Sequence, residues 1–317
     1  MDEFEIIRRF FFGQSLQRND VRLGIGDDAA ILRVPPGQEL VVSVDSLVAS
    51  VHFPEDLQAS AIGHRALAVN LSDLAAMGAT PVWALLALSL PSADEGWISE
   101  FARGFFALAE RYQVALVGGN LARGPLNITV TVHGFVPSGR ALLRTGAQPG
   151  DQLCVTGWLG DAADGLQRLQ AHMAMTETDT CMQRFCFPEP RIQAGLVLRD
   201  IASSAIDISD GLAADLGHLL QASGAGAQLQ IDQLPLSSSL LQHRTQDQAV
   251  NLALSGGDDY ELCFTVPTER MPLLESHARE FGCPVKRIGE ITTSNSLQYL
   301  RNNNTDWPLP VAGYKHF

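Results

Sequence analysis

Several short stretches of this 317-residue chain place aspartate where local structure alone does not require it. GIGDDAAI (24–31) sets Asp27 and Asp28 just past a flexible glycine turn, and SVDSLVASVHF (43–53) sets Asp45 at the end of an apolar strand. ALAVNLSDLAAMGATP (66–81) carries Asp73 in an otherwise apolar helix, one turn after Asn70. AIDISDGLAADLGH (205–218) puts Asp207, Ser209 and Asp210 at a strand-to-helix turn, and SGGDDYELCFT (255–265) puts Asp258, Asp259 and Glu261 between two glycines and a strand. Each site also has a local explanation: Asp27 and Asp28 as turn residues, Asp210 as a helix N-cap. Asp73 is harder to explain that way, because a charge in an apolar helix is costly unless it meets a cation. Hard-cation binding unites the set. Mg²⁺ takes carboxylate oxygens and water, and it commonly joins protein to substrate phosphate. Interposed ions would turn repulsion between these carboxylates and a polyphosphate into attraction.

The charge balance agrees. The net charge is −13, which argues against nucleic acid as a partner. Of 22 basic residues all but Lys286 and Lys315 are arginine, and neither lysine follows a glycine-rich loop. A P-loop needs GxxxxGK[ST] and a protein-kinase fold needs a lysine on an early strand, so both architectures are excluded. Metal ions would take over the lysine's task, helped by backbone N–H groups at helix N-termini expected after Gly119 and Gly211. The five cysteines form no CxxC pair or zinc spacing, and buried reduced thiols are expected. With 46% hydrophobic and 18% charged residues the chain reads as globular. No apolar run reaches the roughly 18 residues of a membrane span, and MDEFEIIRRFFF begins too acidic for a signal peptide. A cytoplasmic location without membrane contact is expected.

Two α+β domains of mixed sheets with packed helices must position these residues, split near 145/146 at the turn-rich RALLRTGAQPGD (140–151). In the first half, helices are expected over 2–12, 60–77 and 94–112, the last capped by Asp94. Strands are expected near 29–34, 40–46, 82–90, 114–119 and 125–136. In the second half strands fall at 151–156, 205–208, 226–231, 261–265 and 285–290. Helices fall at 160–171, 190–203, 211–222 and 268–281. Residues 172–187 and 233–250 look irregular and are expected to be surface insertions.

Taken in order, GIGDDA, HF (52–53), ALAVNLSDLAAMGA, AIDISDGL, SGGDDYEL and the terminal GYKHF resemble thiamine-monophosphate kinases, members of the aminoimidazole ribonucleotide synthetase-like superfamily. The resemblance implies that superfamily's two-domain architecture. Residues 1–145 would form an N-terminal ATP/metal-binding and dimerisation domain, and 146–317 a C-terminal domain completing the active site. It implies direct transfer of the ATP γ-phosphoryl to thiamine monophosphate by a homodimer, with several Mg²⁺ ions and potassium as a candidate further ion. By motif, Asp28, Ser43, Asp45, Asp73, Asp207 and Asp210 would be metal ligands, Val44 adding its carbonyl. Gly119, Asn120, Arg144 and Ser209 would contact the nucleotide, Asn120 also touching a metal. His52, Asp258, Val311 and Tyr314 would face thiamine monophosphate. Arg144 and Asp73 would carry the catalysis, by charge neutralisation rather than proton transfer, since a phosphate oxygen is already ionised at neutral pH. The chain departs from the family at Asn120, where many members have aspartate, at Asp258, where many have glutamate, and at Val311, often aromatic. Aminoimidazole ribonucleotide synthetase and a non-catalytic nucleotide-binding protein are the alternatives.

Overall fold

A computed structural model describes residues 1–173, 176, 178–302 and 305–308; Val311 and Tyr314 lie outside the described residues. The chain forms two compact units, one of residues 1–74 with 79–139 and one of residues 75–78 with 140–317.

The first unit opens with α1 (Glu3–Ile6), which continues as a π-helical turn over Ile7–Phe11. A short antiparallel pair follows, β1 (Val21–Leu23) with β2 (Ile31–Leu32). Then come β3 (Gln38–Val48), α2 (Ala59–Ala76), β4 (Thr80–Leu90), α3 (Glu95–Arg111), β5 (Ala115–Arg123) and β6 (Asn127–Pro137). The long strands make a sheet in the order β3-β6-β4-β5, parallel between β4 and β5 and antiparallel elsewhere. The parallel pair follows from the α3 crossover between them. Asp94 caps α3 by accepting the Trp97 N–H, and Ile98, Phe101, Ala102, Phe105 and Phe106 recur at helical spacing to make its buried face. Helix α2 is buried nearly all round, from Ala61 and Ile62 to Leu74 and Ala75. It meets α3 backbone to backbone. A Cβ on Gly63 would stand 2.0 Å from the Phe101 carbonyl oxygen, so a side chain there would force the helices apart.

The second unit runs β7 (Gln152–Thr156), α4 (Asp161–Gln170), α5 (Thr180–Cys186), α6 (Ile192–Leu198), β8 (Ser204–Asp207), α7 (Leu212–Ser223), β9 (Gly226–Gln230), α8 (Ser238–His243), α9 (Gln246–Ser255), β10 (Leu262–Val266), α10 (Met271–Ser276), β11 (Val285–Thr292) and β12 (Leu297–Leu300). Its sheet has the order β12-β9-β11-β7-β10-β8. Every residue of β7, β8 and β10 is buried, as expected of strands covered on both faces. The fold is α+β, as the alternation along the chain implies.

Three expectations fail. Residues 172–187 and 233–250 are not surface insertions: Cys181, Met182, Phe185 and Cys186 on α5 are fully buried, as are Leu240 on α8 and Ala249 on α9. Such helices are too short for a period to show in sequence. The helix expected over 268–281 is confined to α10, preceded by a 3₁₀ turn at Thr268–Arg270, because Pro272 fits only the first turn of an α-helix. Gly119 opens no helix but lies inside β5, where a Cβ would come within 1.8 Å of the Leu86 carbonyl oxygen.

Candidate functional site

In the first unit the acidic residues fall into two groups, one on each face of the sheet. Directly paired residues share a face, and Ser43 pairs with Val132 and Asp45 with Val130, both valines fully buried on the helix-covered side. From α2, Asp73 accepts the Ser43 hydroxyl at 2.5 Å, and the buried Asn70 side chain accepts the Asp45 backbone N–H at 2.9 Å. The Asn70 amide in turn donates to the Ala66 carbonyl, which fixes its orientation. Ser43, Asp45 and Asp73 are therefore held together by the β3–α2 contact. His52 lies in the turn after β3, its Nδ1 accepting the Val48 N–H at 3.0 Å.

On the other face, Asp27, Asp28, Gly119 and Asn120 line a cavity of about 1400 Å³. Its floor is Thr129, Thr131 and His133 of β6, and Arg8 from the N-terminal turn reaches its wall. Asp27 accepts the Asp28 N–H at 2.8 Å and so acts as a turn-holding residue, with Asp28 presented beyond it. Val44 points to this second face and is 56% exposed.

In the second unit a backbone ladder ties two acidic strings together. The Ile208 N–H donates to the Glu261 carbonyl, Tyr260 N–H to Ile208 and Asp258 N–H to Ser209, at 2.8–2.9 Å. Asp207, Ser209, Asp210 and Asp258 thus stand side by side at the end of the β8–β10 pair. Gly257 makes the approach possible, since a Cβ there would lie 2.5 Å from the Ser209 carbonyl. Asp258 (φ 61°) and Tyr260 (φ 50°) adopt the left-handed conformation, a strain of about 1–3 kcal/mol each for non-glycine residues.

The carboxylates of SGGDDYEL divide sharply by role. Both oxygens of Asp259 accept the Gly160 N–H at 3.0 Å, and burial raises its carboxyl well above the ordinary range. Glu261 is buried and takes a bidentate pair from Arg191 at 2.5 and 2.6 Å, plus the Thr156 hydroxyl at 2.7 Å. Both are structural, whereas Asp258 accepts the Tyr260 hydroxyl at 3.0 Å.

Asp215 was missed by sequence reasoning. One of its oxygens collects the backbone N–H groups of Ser209, Asp210 and Gly211 at 3.0, 3.0 and 3.2 Å. The three N–H groups of the turn that leads into α7 are therefore already taken. An aspartate in the first turn of a helix is the only signal the sequence held for it. Desolvation lifts the Asp215 carboxyl to about 6, against the pull of its three backbone donors and with a further push from Asp210. Its folded value exceeds its unfolded one of 3.8, so its stabilising effect is full below pH 3.8 and is lost as pH rises through about 6. In EDTA, the melting-temperature advantage of the protein over its Asp215→Asn variant is expected to shrink from pH 4 to pH 7. A constant difference would contradict that state of Asp215.

Arg144 is exposed, and its carbonyl accepts the Ser223 hydroxyl at 3.0 Å. Among the described residues no three carboxylate, imidazole or thiol groups stand close enough to hold a metal by themselves. Oxygen donors in pairs rather than a closed cage suit Mg²⁺ that keeps water and substrate phosphate among its ligands. No helix among the described residues is long and apolar enough to cross a membrane.

Comparison with known proteins places these features. Residues 26–136 match the AIR synthase related protein N-terminal domain and residues 148–300 the corresponding C-terminal domain. The thiamine-monophosphate kinase of Salmonella typhimurium is 47% identical over 322 residues, covering 99% of this chain and 98% of that protein. The crystal structure of thiamine-monophosphate kinase from Stenotrophomonas maltophilia K279a superposes with a TM-score of 0.88 at 45% identity, covering 94% of this chain and 96% of that one. A further relative, solved in complex with AMPPCP and TMP, gives a TM-score of 0.79 at 31% identity over 90% of this chain and 89% of that one.

Proposed function

Because the chain belongs to the thiamine-monophosphate kinase family, we propose that it transfers the γ-phosphoryl group of ATP directly to thiamine monophosphate, giving thiamine diphosphate and ADP. The observation that supports this reading is the ladder joining 207–210 to 257–261, which brings Asp258, read here as facing the substrate, beside Asp207 and Asp210, read here as metal ligands.

Asp28, Ser43, Asp45, Asp73, Asn120, Asp207 and Asp210, with the Val44 carbonyl, would hold Mg²⁺. When bound, the ions supply charge neutralisation for the phosphates and for the charge spread during transfer. The chain's own part is alignment. Gly119, Asn120, Ser209 and Arg144 bind the nucleotide, and Arg8 adds a cation to the wall of the cavity lined by Asp28 and Asn120. His52 and Asp258 orient thiamine monophosphate. The attacking phosphate oxygen is already ionised near neutrality, its second pKa being about 6, so no side chain needs to remove a proton. Catalysis then rests on holding donor and acceptor in line. The test is incubation with ATP, Mg²⁺ and thiamine monophosphate, with and without K⁺; absence of thiamine diphosphate in both would sink the assignment.

We also infer a homodimer formed through the first unit, working in the cytoplasm. Leu40, Val42 and Val44 project from the edge strand β3 at 42%, 53% and 56% exposure, an apolar stripe that a solitary sheet edge seldom tolerates. Val42→Glu is expected to convert a dimer into a monomer in sedimentation equilibrium. A dimer that survives the charge would rule out this strand as the interface.

A further inference from the structure

We propose that Tyr260 is a positioning residue for the thiamine-monophosphate subsite, its phenol fixing the carboxylate of Asp258 in the direction from which it meets the substrate. The Tyr260 hydroxyl donates to Asp258 Oδ1 at 3.0 Å, reaching back over two residues of its own chain. That reach depends on an unusual backbone. Gly257, Asp258 and Tyr260 all have positive φ, at 71°, 61° and 50°, which curls the segment until the ring of Tyr260 lies beside the side chain of Asp258.

The curl is clamped on both sides. Asp259 between them is bound to the Gly160 N–H, and Glu261 is locked to Arg191 and Thr156. The backbone N–H groups of Asp258 and Tyr260 are fixed to Ser209 and Ile208. Tyr260 is only 8% exposed, so its ring cannot swing away, and a buried phenol needs a partner for its hydroxyl. Asp258 is partly exposed. A short, partly exposed carboxylate has two soft torsions, and one hydrogen bond from a fixed donor removes much of that freedom before substrate arrives. The phenol brings no counter-charge, so the carboxylate can still face the cationic ring of thiamine and accept from its amino-bearing one. Tyr260 would therefore act on the affinity for thiamine monophosphate and leave the nucleotide alone.

The inference rests on the reading of Asp258 as a substrate-facing residue, and the test separates the two. Steady-state kinetics would be measured for the full-length protein, Tyr260→Phe, Asp258→Asn and the double variant, with thermal melts as the control for folding. Tyr260→Phe is expected to raise KM for thiamine monophosphate by about five- to tenfold, the worth of one charge-assisted hydrogen bond. KM for ATP should stay at its original value, and the effect should vanish in the Asp258→Asn background, because the amide keeps an oxygen for the Tyr260 hydroxyl but no longer offers the substrate the charge that the hydroxyl orients. A merely structural role would move both KM values and persist in the double variant; that result overturns the proposal, as does an unchanged KM for thiamine monophosphate in Tyr260→Phe. If Asp258→Asn alone leaves that KM unmoved, the reading of Asp258 fails, and the role of Tyr260 with it. If Asp258→Asn raises it and Tyr260→Phe does not, only the positioning role falls.

Discussion

Asp73→Asn is expected to lower turnover of thiamine monophosphate by at least about a hundredfold, the scale of losing one preorganised electrostatic group, while the melting temperature holds or rises. Asparagine keeps the shape of the side chain and an oxygen for the Ser43 hydroxyl that Asp73 now accepts. Asp73 is only partly buried, and the apolar packing of α2 through Leu67, Leu71 and Leu74 is left in place by the substitution. What the variant loses is the negative charge that would hold a divalent ion. The concentration of Mg²⁺ needed for half-maximal rate should therefore rise along with the loss of turnover. Near-normal activity at ordinary Mg²⁺ would show that Asp73 is no ligand.

Arg191→Ala is expected to destabilise the second unit by about 3–5 kcal/mol, because it leaves Glu261 charged, buried and without its bidentate partner. Side-chain exposure is 14% for Arg191 and 2% for Glu261, so water cannot replace the lost cation. Burial works against the Arg191 charge, and Glu261 outweighs it, raising the pKa above the ordinary arginine value. On a unit of this size the loss corresponds to a fall in melting temperature of roughly 10 °C. Neutralising both partners, as Arg191→Met with Glu261→Gln, should recover part of it, since the larger penalty is the orphaned charge rather than the missing attraction. Scanning calorimetry of the variants checks both statements. A single variant that melts with the parent protein would mean that Glu261 is held some other way.

The long elements were legible in the sequence because each solves its packing problem locally. Strand β6 alternates apolar and polar residues, and α3 announces itself by the Asp94 cap and its buried Phe101, Phe105 and Phe106. Gly119 shows the opposite case. A glycine pair after an apolar strand reads as a turn, yet the cause is the Leu86 carbonyl on the neighbouring strand, which no local pattern reports. The site divides the same way. The acidic strings mark where ligands are to be sought, but DDYE reads as three equivalent carboxylates. Their division of labour is set by Gly160 and Arg191, which lie 99 and 70 residues away from Asp259 and Glu261. Asp215 escaped for a related reason: its partners are backbone N–H groups, and these leave no trace in residue identity.

Direct phosphoryl transfer between two bound substrates is the centre of the account, and label tracing tests it without intermediaries. The protein would be incubated with ATP labelled at the γ-phosphorus, Mg²⁺ and thiamine monophosphate, and the products separated. The account predicts that all transferred label appears in the terminal phosphate of thiamine diphosphate, in step with ADP, and that none appears when Mg²⁺ is withheld. Label recovered only as inorganic phosphate, with thiamine monophosphate unchanged, would contradict it.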